Sequence, residues 1–156
     1  MVIGGILAAG AWGLFHAGED RTRAVITGVG SPLPSLSRDG ATVGYLGREY
    51  RVRHAVIVIK GSGFQHGGGV VRGKNEATPV SRYALRFDAA PLPMSDLRVA
   101  DRDGTRLSGT VRVPLELLEG AGLKRPHSFS VYDRIEGRFV ETNPEHATTV
   151  RFTVAP

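Results

Sequence analysis

The sequence of 156 residues contains no cysteine. Disulfides, thiolate catalysis, cysteine-ligated zinc and a lipid anchor on cysteine are therefore excluded. This absence does not decide the compartment, because a chain without cysteine is compatible with both reducing and oxidising surroundings.

The chain also lacks any run of basic residues. Lysine and arginine together number 20 against 15 acidic residues, and 17 of the 20 are arginine. These arginines occur singly along strand-like segments, and aromatic residues do not alternate with them as a nucleic-acid platform requires. We therefore expect solvated strand faces and no nucleic-acid partner.

Catalytic and metal-binding motifs are missing as well. No histidine is paired with another histidine or a carboxylate at metal-ligand spacing. The segment from Asp101 lacks the closing glutamate of a calcium loop, since Arg112 stands there. Ser62 lies between glycines without the spacing of a nucleophile elbow. We predict a protein that is not an enzyme, with no cofactor, metal or small-molecule substrate.

Charged side chains are absent from the N-terminus, where His16 is the only ionisable side chain before Glu19. Residues 2–15 are all apolar or glycine, and residues 1–18 just reach the length that a membrane helix needs. Three interpretations compete for this segment. They are a membrane anchor, a buried inter-subunit arm in a virion or phage particle, and a cleaved signal peptide.

The membrane anchor is the leading interpretation. Gly5, Ala9 and Gly13 recur every four residues, a pattern that lets two helix backbones approach closely within lipid. Trp12 and Phe15 lie near one end, as aromatic residues at a membrane interface do. A signal peptide is less favoured because no basic residue precedes the apolar stretch.

The remaining sequence alternates apolar and polar residues with a period of two, which predicts half-buried strands. Tyr83, Leu85 and Phe87 would face the core. Residues 55–59 form a continuous apolar run, which indicates a strand covered on both faces or central in the core. Hairpin turns are predicted at residues 37–40, 101–104 and 135–138. Residues 114–119 are the one predicted short helix, with Gly120 and Gly122 beyond its end.

The segment of residues 61–69 is rich in glycine and follows the apolar run. No helix and no lysine–serine or lysine–threonine pair follows it, so a phosphate loop is not indicated. A mobile hairpin loop is the simpler interpretation. If the loop binds a ligand, we predict a protein partner. The predicted contact residues are Gly63, Phe64, Gln65, His66 and Gly67.

These patterns predict an all-β fold, an immunoglobulin-like β-sandwich or a small barrel with one short helix, preceded by an N-terminal apolar transmembrane helix. The predicted division is residues 1–18 as the anchor, 19–40 as a linker with the first strand, and 41–156 as the β domain. A strand at residues 23–29 is expected to join that domain.

The predicted function is that of a single-pass membrane-anchored accessory or structural subunit. Its partners would be other membrane protein subunits and the lipid bilayer. We expect the β domain on the extracytoplasmic side, although Arg21 and Arg23 favour the cytoplasm. The alternatives are a structural subunit of a virion or phage particle, and an exported β-sandwich enzyme or metal-binding protein.

Overall fold

The structure is a computed structural model, which describes residues 23–31, 33–90 and 92–154. It is mostly β-strand, 56%, with few helices, and its large mixed sheet is nearly barrel-shaped. This confirms the predicted all-β class. The strands are β1 Val25–Val29, β2 Ser35–Leu36, β3 Gly40–Tyr45, β4 Arg48–Ser62, β5 Gly68–Arg72, β6 Ala77–Ser81, β7 Tyr83–Phe87, β8 Ser95–Val99, β9 Arg106–Pro114, β10 His127–Asp133, β11 Arg138–Phe139, β12 Glu141–Thr142, β13 Thr149–Val150 and β14 Thr153–Val154.

The main sheet has the neighbour order β11, β10, β7, β8, β9, β4, β1, β12, with β3 beside β4 and β13 beside β10. Its longest strand is β4, with 15 residues. One edge of β4 pairs with β9, while the other edge pairs first with β3 and then with β1. This central position explains the long apolar run, because β4 supplies the middle of the core.

The two ends of that order are consecutive in the chain, since β11 and β12 are separated only by Val140. β11 pairs with β10, and β12 pairs in parallel with β1. The amide of Val140 also donates to the carbonyl of Val131 at 2.8 Å. Residues 138–142 therefore join the two edges of the sheet, and we call this segment the closing segment.

The core lies inside this curved sheet. Tyr83, Leu85 and Phe87 are buried as the alternation predicted. The run at residues 55–59 is covered on one face only, because Ile57 is buried whereas Val56 is 59% exposed. The prediction of a strand covered on both faces was therefore wrong, and its central position was right. A separate small cluster joins Tyr50, Val52 and Leu92.

The helical segments are short 3-10 helices. Leu115–Leu117 is a 3-10 helix at the predicted place, although Pro114 belongs to β9. Gly120–Lys124 and Glu145–Thr148 form two more. The expectation that Gly120 and Gly122 lie beyond the helical part was wrong, because both belong to the second 3-10 helix.

Two of the three predicted hairpin turns are present. Residues 101–104 connect β8 to β9, and residues 134–137 connect β10 to β11. The turn predicted at residues 37–40 is not a hairpin, since Ser37 and Gly40 both lie along β4. The chain reverses instead at Leu46 and Gly47, whose φ angles are 52° and 77°. Consecutive positive φ angles suit the right-handed twist of a two-residue hairpin.

β5 and β6 form a two-stranded sheet apart from the main one, and we call this hairpin, residues 68–81, the arm. Most of its residues are exposed, and Val70 is 54% exposed. The arm therefore buries little apolar surface of its own.

The predicted transmembrane helix lies outside the described residues. Within the part of the chain that the structure describes, the helices are all too short or too polar for a membrane span.

Candidate functional site

A cleft of about 560 Å³ opens at one end of the curved sheet, beside the closing segment. The start of β1, the loop after β4, the start of β7 and the end of β10 all meet there. Its lining residues are Arg23, Ala24, Gly63, Gln65, Arg82, Tyr83, Asp133, Ile135, Glu136, Arg138, Phe139, Val140 and Glu141.

An ion pair between Arg82 and Asp133 forms the floor of this cleft. The Nε of Arg82 donates a hydrogen bond to Oδ1 of Asp133 at 3.0 Å, and its Nη2 donates one to Oδ2 at 2.9 Å. The two side chains are only 11% and 6% exposed. The hydrogen bond to Asp133 is the main reason that the pKa of Arg82 is raised above its ordinary value. This geometry is the two-pronged arrangement that gives arginine its strongest carboxylate contacts.

Asp133 also shapes the turn that follows it. Its Oδ1 accepts hydrogen bonds from the backbone amides of Ile135 and Glu136, each at 3.0 Å. Its carbonyl accepts the amide of Gly137 at 2.8 Å, and Gly137 has a φ of 70°. Aspartate at the first position of a turn commonly bonds its own backbone in this way. The carboxylate is therefore fully engaged in holding Arg82 and the β10–β11 turn.

Tyr83 fastens the glycine-rich loop to the same place. Its hydroxyl accepts the amide of Gln65 at 3.0 Å, and its ring meets that of Phe64 edge-on at 5.6 Å. Burial raises the pKa of Tyr83 above its ordinary value of 10.0. The hydrogen bond and the ring contact together make Tyr83 an anchor for the loop.

The rim of the cleft combines apolar and ionic groups. Ile135 and Phe139 are 53% and 43% exposed. The guanidinium of Arg86 lies 4.7 Å from the centre of the Phe139 ring. Arg23 and Glu141 pair at 2.8 Å across the junction of β1 and β12. Such a rim suits a polypeptide surface with apolar and charged groups side by side.

A second cleft, of about 390 Å³, separates the base of the arm from β8. His66 lies at its edge and its Nε2 is 3.1 Å from the carbonyl oxygen of Asp101. The arm contributes Pro79, Val80 and Ser81 to the wall. The loop of residues 63–67 therefore lies between the two clefts.

The structure separates the predicted partner-contact residues. Gln65, His66 and Gly67 are exposed, and Gly63 is half-buried. Phe64 is only 3% exposed, so its side chain lies in the core of the described structure, and its predicted contact with a partner stays a prediction. A phenyl ring next to a strand is buried whenever the loop folds back over the core.

The predicted helix-packing residues Gly5, Ala9 and Gly13, and the predicted interface residues Trp12 and Phe15, lie outside the described residues. Among residues 23–31, 33–90 and 92–154, no three histidine, cysteine, aspartate or glutamate side chains are grouped so as to hold a metal ion.

Two features escaped the sequence reasoning. Arg82 and Asp133 are 51 residues apart, and no local pattern joins them. Only the turn-forming role of Asp133, ahead of Gly137, carries a sequence signal. The arm had a readable signal, because the turn-forming residues 73–76 separate two strand-like pieces.

Comparisons with protein-family models, with curated proteins and with solved structures found no match to this chain.

Proposed function

We propose that this chain is a non-enzymatic accessory subunit, anchored in a membrane by its N-terminal apolar segment and docked on other membrane protein subunits by its β domain. The observation that carries the docking part is the arm. Its two strands stand apart from the main sheet and are largely exposed. A hairpin whose outer edges pair with no other described strand, and whose Val70 is exposed, offers a partner both backbone hydrogen bonds and an apolar contact.

The geometry of the larger cleft supports a binding role over a catalytic one. Both oxygens of Asp133 accept hydrogen bonds from Arg82, and one of them also holds the turn amides. A general base has to accept a proton from a substrate. Here the carboxylate is committed to maintaining the shape of the rim.

We also infer the finer architecture. Of the immunoglobulin-like sandwich and the small barrel, the strand order favours the barrel, because the closing segment has neighbours on both sides. Two packed sheets would leave free edges at this place. An extracytoplasmic position of the domain remains part of the proposal.

The anchoring part is tested by fractionation of the full chain. Arginine at the centre of a membrane helix costs about 2.5–3.5 kcal/mol. Ala9→Arg should therefore move most of the protein out of the membrane fraction. Ala17→Arg adds the same charge at the end of the segment and should leave it there. A wild-type chain that is soluble and monodisperse without detergent contradicts the anchor.

The docking part is tested on detergent extracts of native membranes. Val70→Asp places a charge on the apolar position of the arm and should remove a stoichiometric partner from the purified protein. Thr78→Asp adds the same charge at an exposed position on the neighbouring strand and should retain it. Equal partner recovery with both variants contradicts docking through the Val70 side of the arm.

A further inference from the structure

Three cations that are scattered in the sequence meet on the outer face of the main sheet. Lys60 on β4 lies directly opposite Arg106 on β9. Arg98 on β8 lies opposite Ser108, which is two residues from Arg106 on the same face. The three cations are exposed. We call Lys60, Arg98 and Arg106 the basic face.

The basic face is electrostatically unfavourable by itself. Like charges directly opposite each other across two strands repel and destabilise the pair. Within the described part of the chain, none of the three cations takes part in a salt bridge. An anion bound from outside would relieve this repulsion.

The carboxylates nearby leave a net positive charge. Asp96 shares the outer face with Arg98 and pairs with Arg134 at 2.9 Å. The β8–β9 turn adds Asp101, Arg102 and Asp103, so the eight charged groups comprise five cations and three anions. The carboxylate of Asp101 is held inside the turn by Thr105 and by the amide of Arg106. The pKa of Asp101 is lowered below its ordinary value. The largest cause is the hydrogen bond from the Thr105 hydroxyl, and the positive charge of Arg106 is a smaller one.

The basic face lies at the end of the sheet where the chain enters from its N-terminal segment. Val25 pairs with Ser62, which is two residues beyond Lys60. At about 3.3 Å per residue, this separation along the strand is about 7 Å. Val25 lies seven residues after the end of the apolar segment of residues 1–18, so the chain between them spans at most about 25 Å. A membrane holding the apolar segment would therefore lie within that reach of Val25.

We propose that the basic face binds the phosphates of anionic lipid headgroups and thereby fixes the orientation of the β domain on the membrane. This inference rests on the proposed anchoring. Charge complementarity and the adjoining N-terminal segment favour lipid over an acidic protein. A nucleic acid is less suited, because Lys60, Arg98 and Arg106 have no aromatic side chain between them for base stacking.

The test uses the full chain in vesicles, and the absence of cysteine allows a single label. Ser108→Cys carries a small environment-sensitive fluorophore in the middle of the basic face. Vesicles contain phosphatidylcholine alone or with 30% phosphatidylglycerol, together with a headgroup quencher. Quenching should appear only with phosphatidylglycerol and disappear in about 0.5 M salt, where the Debye length falls below about 5 Å.

Variants then identify the cations. Each juxtamembrane cation strengthens contact with an anionic surface about fivefold. K60Q, R98Q and R106Q together should weaken the label's lipid contact on the order of 100-fold. The matched control removes Arg51, Lys124 and Arg125, which are exposed elsewhere, and should keep the quenching.

The outcomes separate the two proposals. If the wild-type chain floats with neither kind of vesicle, the anchoring proposal fails. Suppose the chain floats with both kinds of vesicle. If the label is then quenched to the same extent with and without phosphatidylglycerol, or is quenched in neither case, the anchoring proposal stands and the proposed lipid contact is overturned. If soluble polyglutamate or DNA shifts the label whereas phosphatidylglycerol does not, the face binds another polyanion and the lipid proposal is likewise overturned.

Discussion

The ion pair between Arg82 and Asp133 provides the sharpest test of the structure. Arg82→Met removes the guanidinium, while Asp133 still accepts its hydrogen bonds from the two amides of the turn. Asp133→Asn removes the negative charge but keeps an oxygen for the turn. The two substitutions therefore probe the pair with little direct effect on the β10–β11 hairpin.

The expected magnitude follows from burial. Removing one partner of a buried pair costs about 3–5 kcal/mol, because the other charge is left without compensation. With side chains only 11% and 6% exposed, little of this is screened by water. We expect about 3 kcal/mol for Arg82→Met and about 2 kcal/mol for Asp133→Asn, since the amide oxygen still accepts from arginine. The double variant should lose about 3 kcal/mol, which gives a coupling of about 2 kcal/mol.

The assay is urea unfolding of the full-length protein in non-ionic detergent at neutral pH, followed by far-ultraviolet circular dichroism. The exposed pair of Arg23 and Glu141, 48% and 56% exposed, is the reference. The two single variants and the double variant of this exposed pair should each change the free energy of unfolding by less than about 1 kcal/mol. If the losses of Arg82→Met and Asp133→Asn simply add in the double variant, the buried pair does not exist in solution.

Three further predictions concern the core and its turns. Because burial raises the pKa of Tyr83, its stabilising effect is complete below the ordinary value of 10.0 and is lost as the pH rises above it. Tyr83→Phe should reduce this alkaline loss in urea titrations from about pH 8 to about pH 11, and an unchanged loss contradicts burial of the hydroxyl. Gly104→Ala should cost about 3 kcal/mol or more, since its Cβ would lie 2.1 Å from the carbonyl oxygen of Phe64 at a φ of +70°. Gly47→Ala, at a φ of +77° in open space, should cost about 1 kcal/mol, and equal losses by thermal unfolding contradict the close approach. Ile57→Ala should cost about 2–5 kcal/mol and Val56→Ala less than about 1 kcal/mol, because only Ile57 is buried; similar values by urea unfolding would reverse the assigned faces of β4.

Local patterns predicted the strands well. Alternation identified the buried face of β7, and aspartate–glycine or glutamate–glycine pairs marked the β8–β9 and β10–β11 turns. The β3–β4 hairpin escaped, because Leu46 has an unusual positive φ for a leucine. Its conformation is imposed by pairing of the flanking strands, which outweighs the preference of a single residue.

Long-range features were beyond the sequence. The basic face exists only because the antiparallel register places Lys60 opposite Arg106. In the sequence these residues are far apart, so each one looks like an isolated charge. The burial of Phe64 depends on the ring of Tyr83 and on the β8–β9 turn. In that turn, the carbonyl of Gly104 accepts a hydrogen bond from the amide of Phe64. A glycine-rich loop alone does not indicate which of its side chains turns inward.

The closing segment also determines when the fold can be completed during synthesis. Arg23 and Glu141 meet across a separation of 118 residues. Until residues 138–142 have left the ribosome, the outer edges of β1 and β10 both lack their neighbour. Long-range pairing of this kind forms late, and an open strand edge is exposed to wrong pairing in the meantime. The strand closest to the N-terminal segment is thus among the first to be made and among the last to be covered.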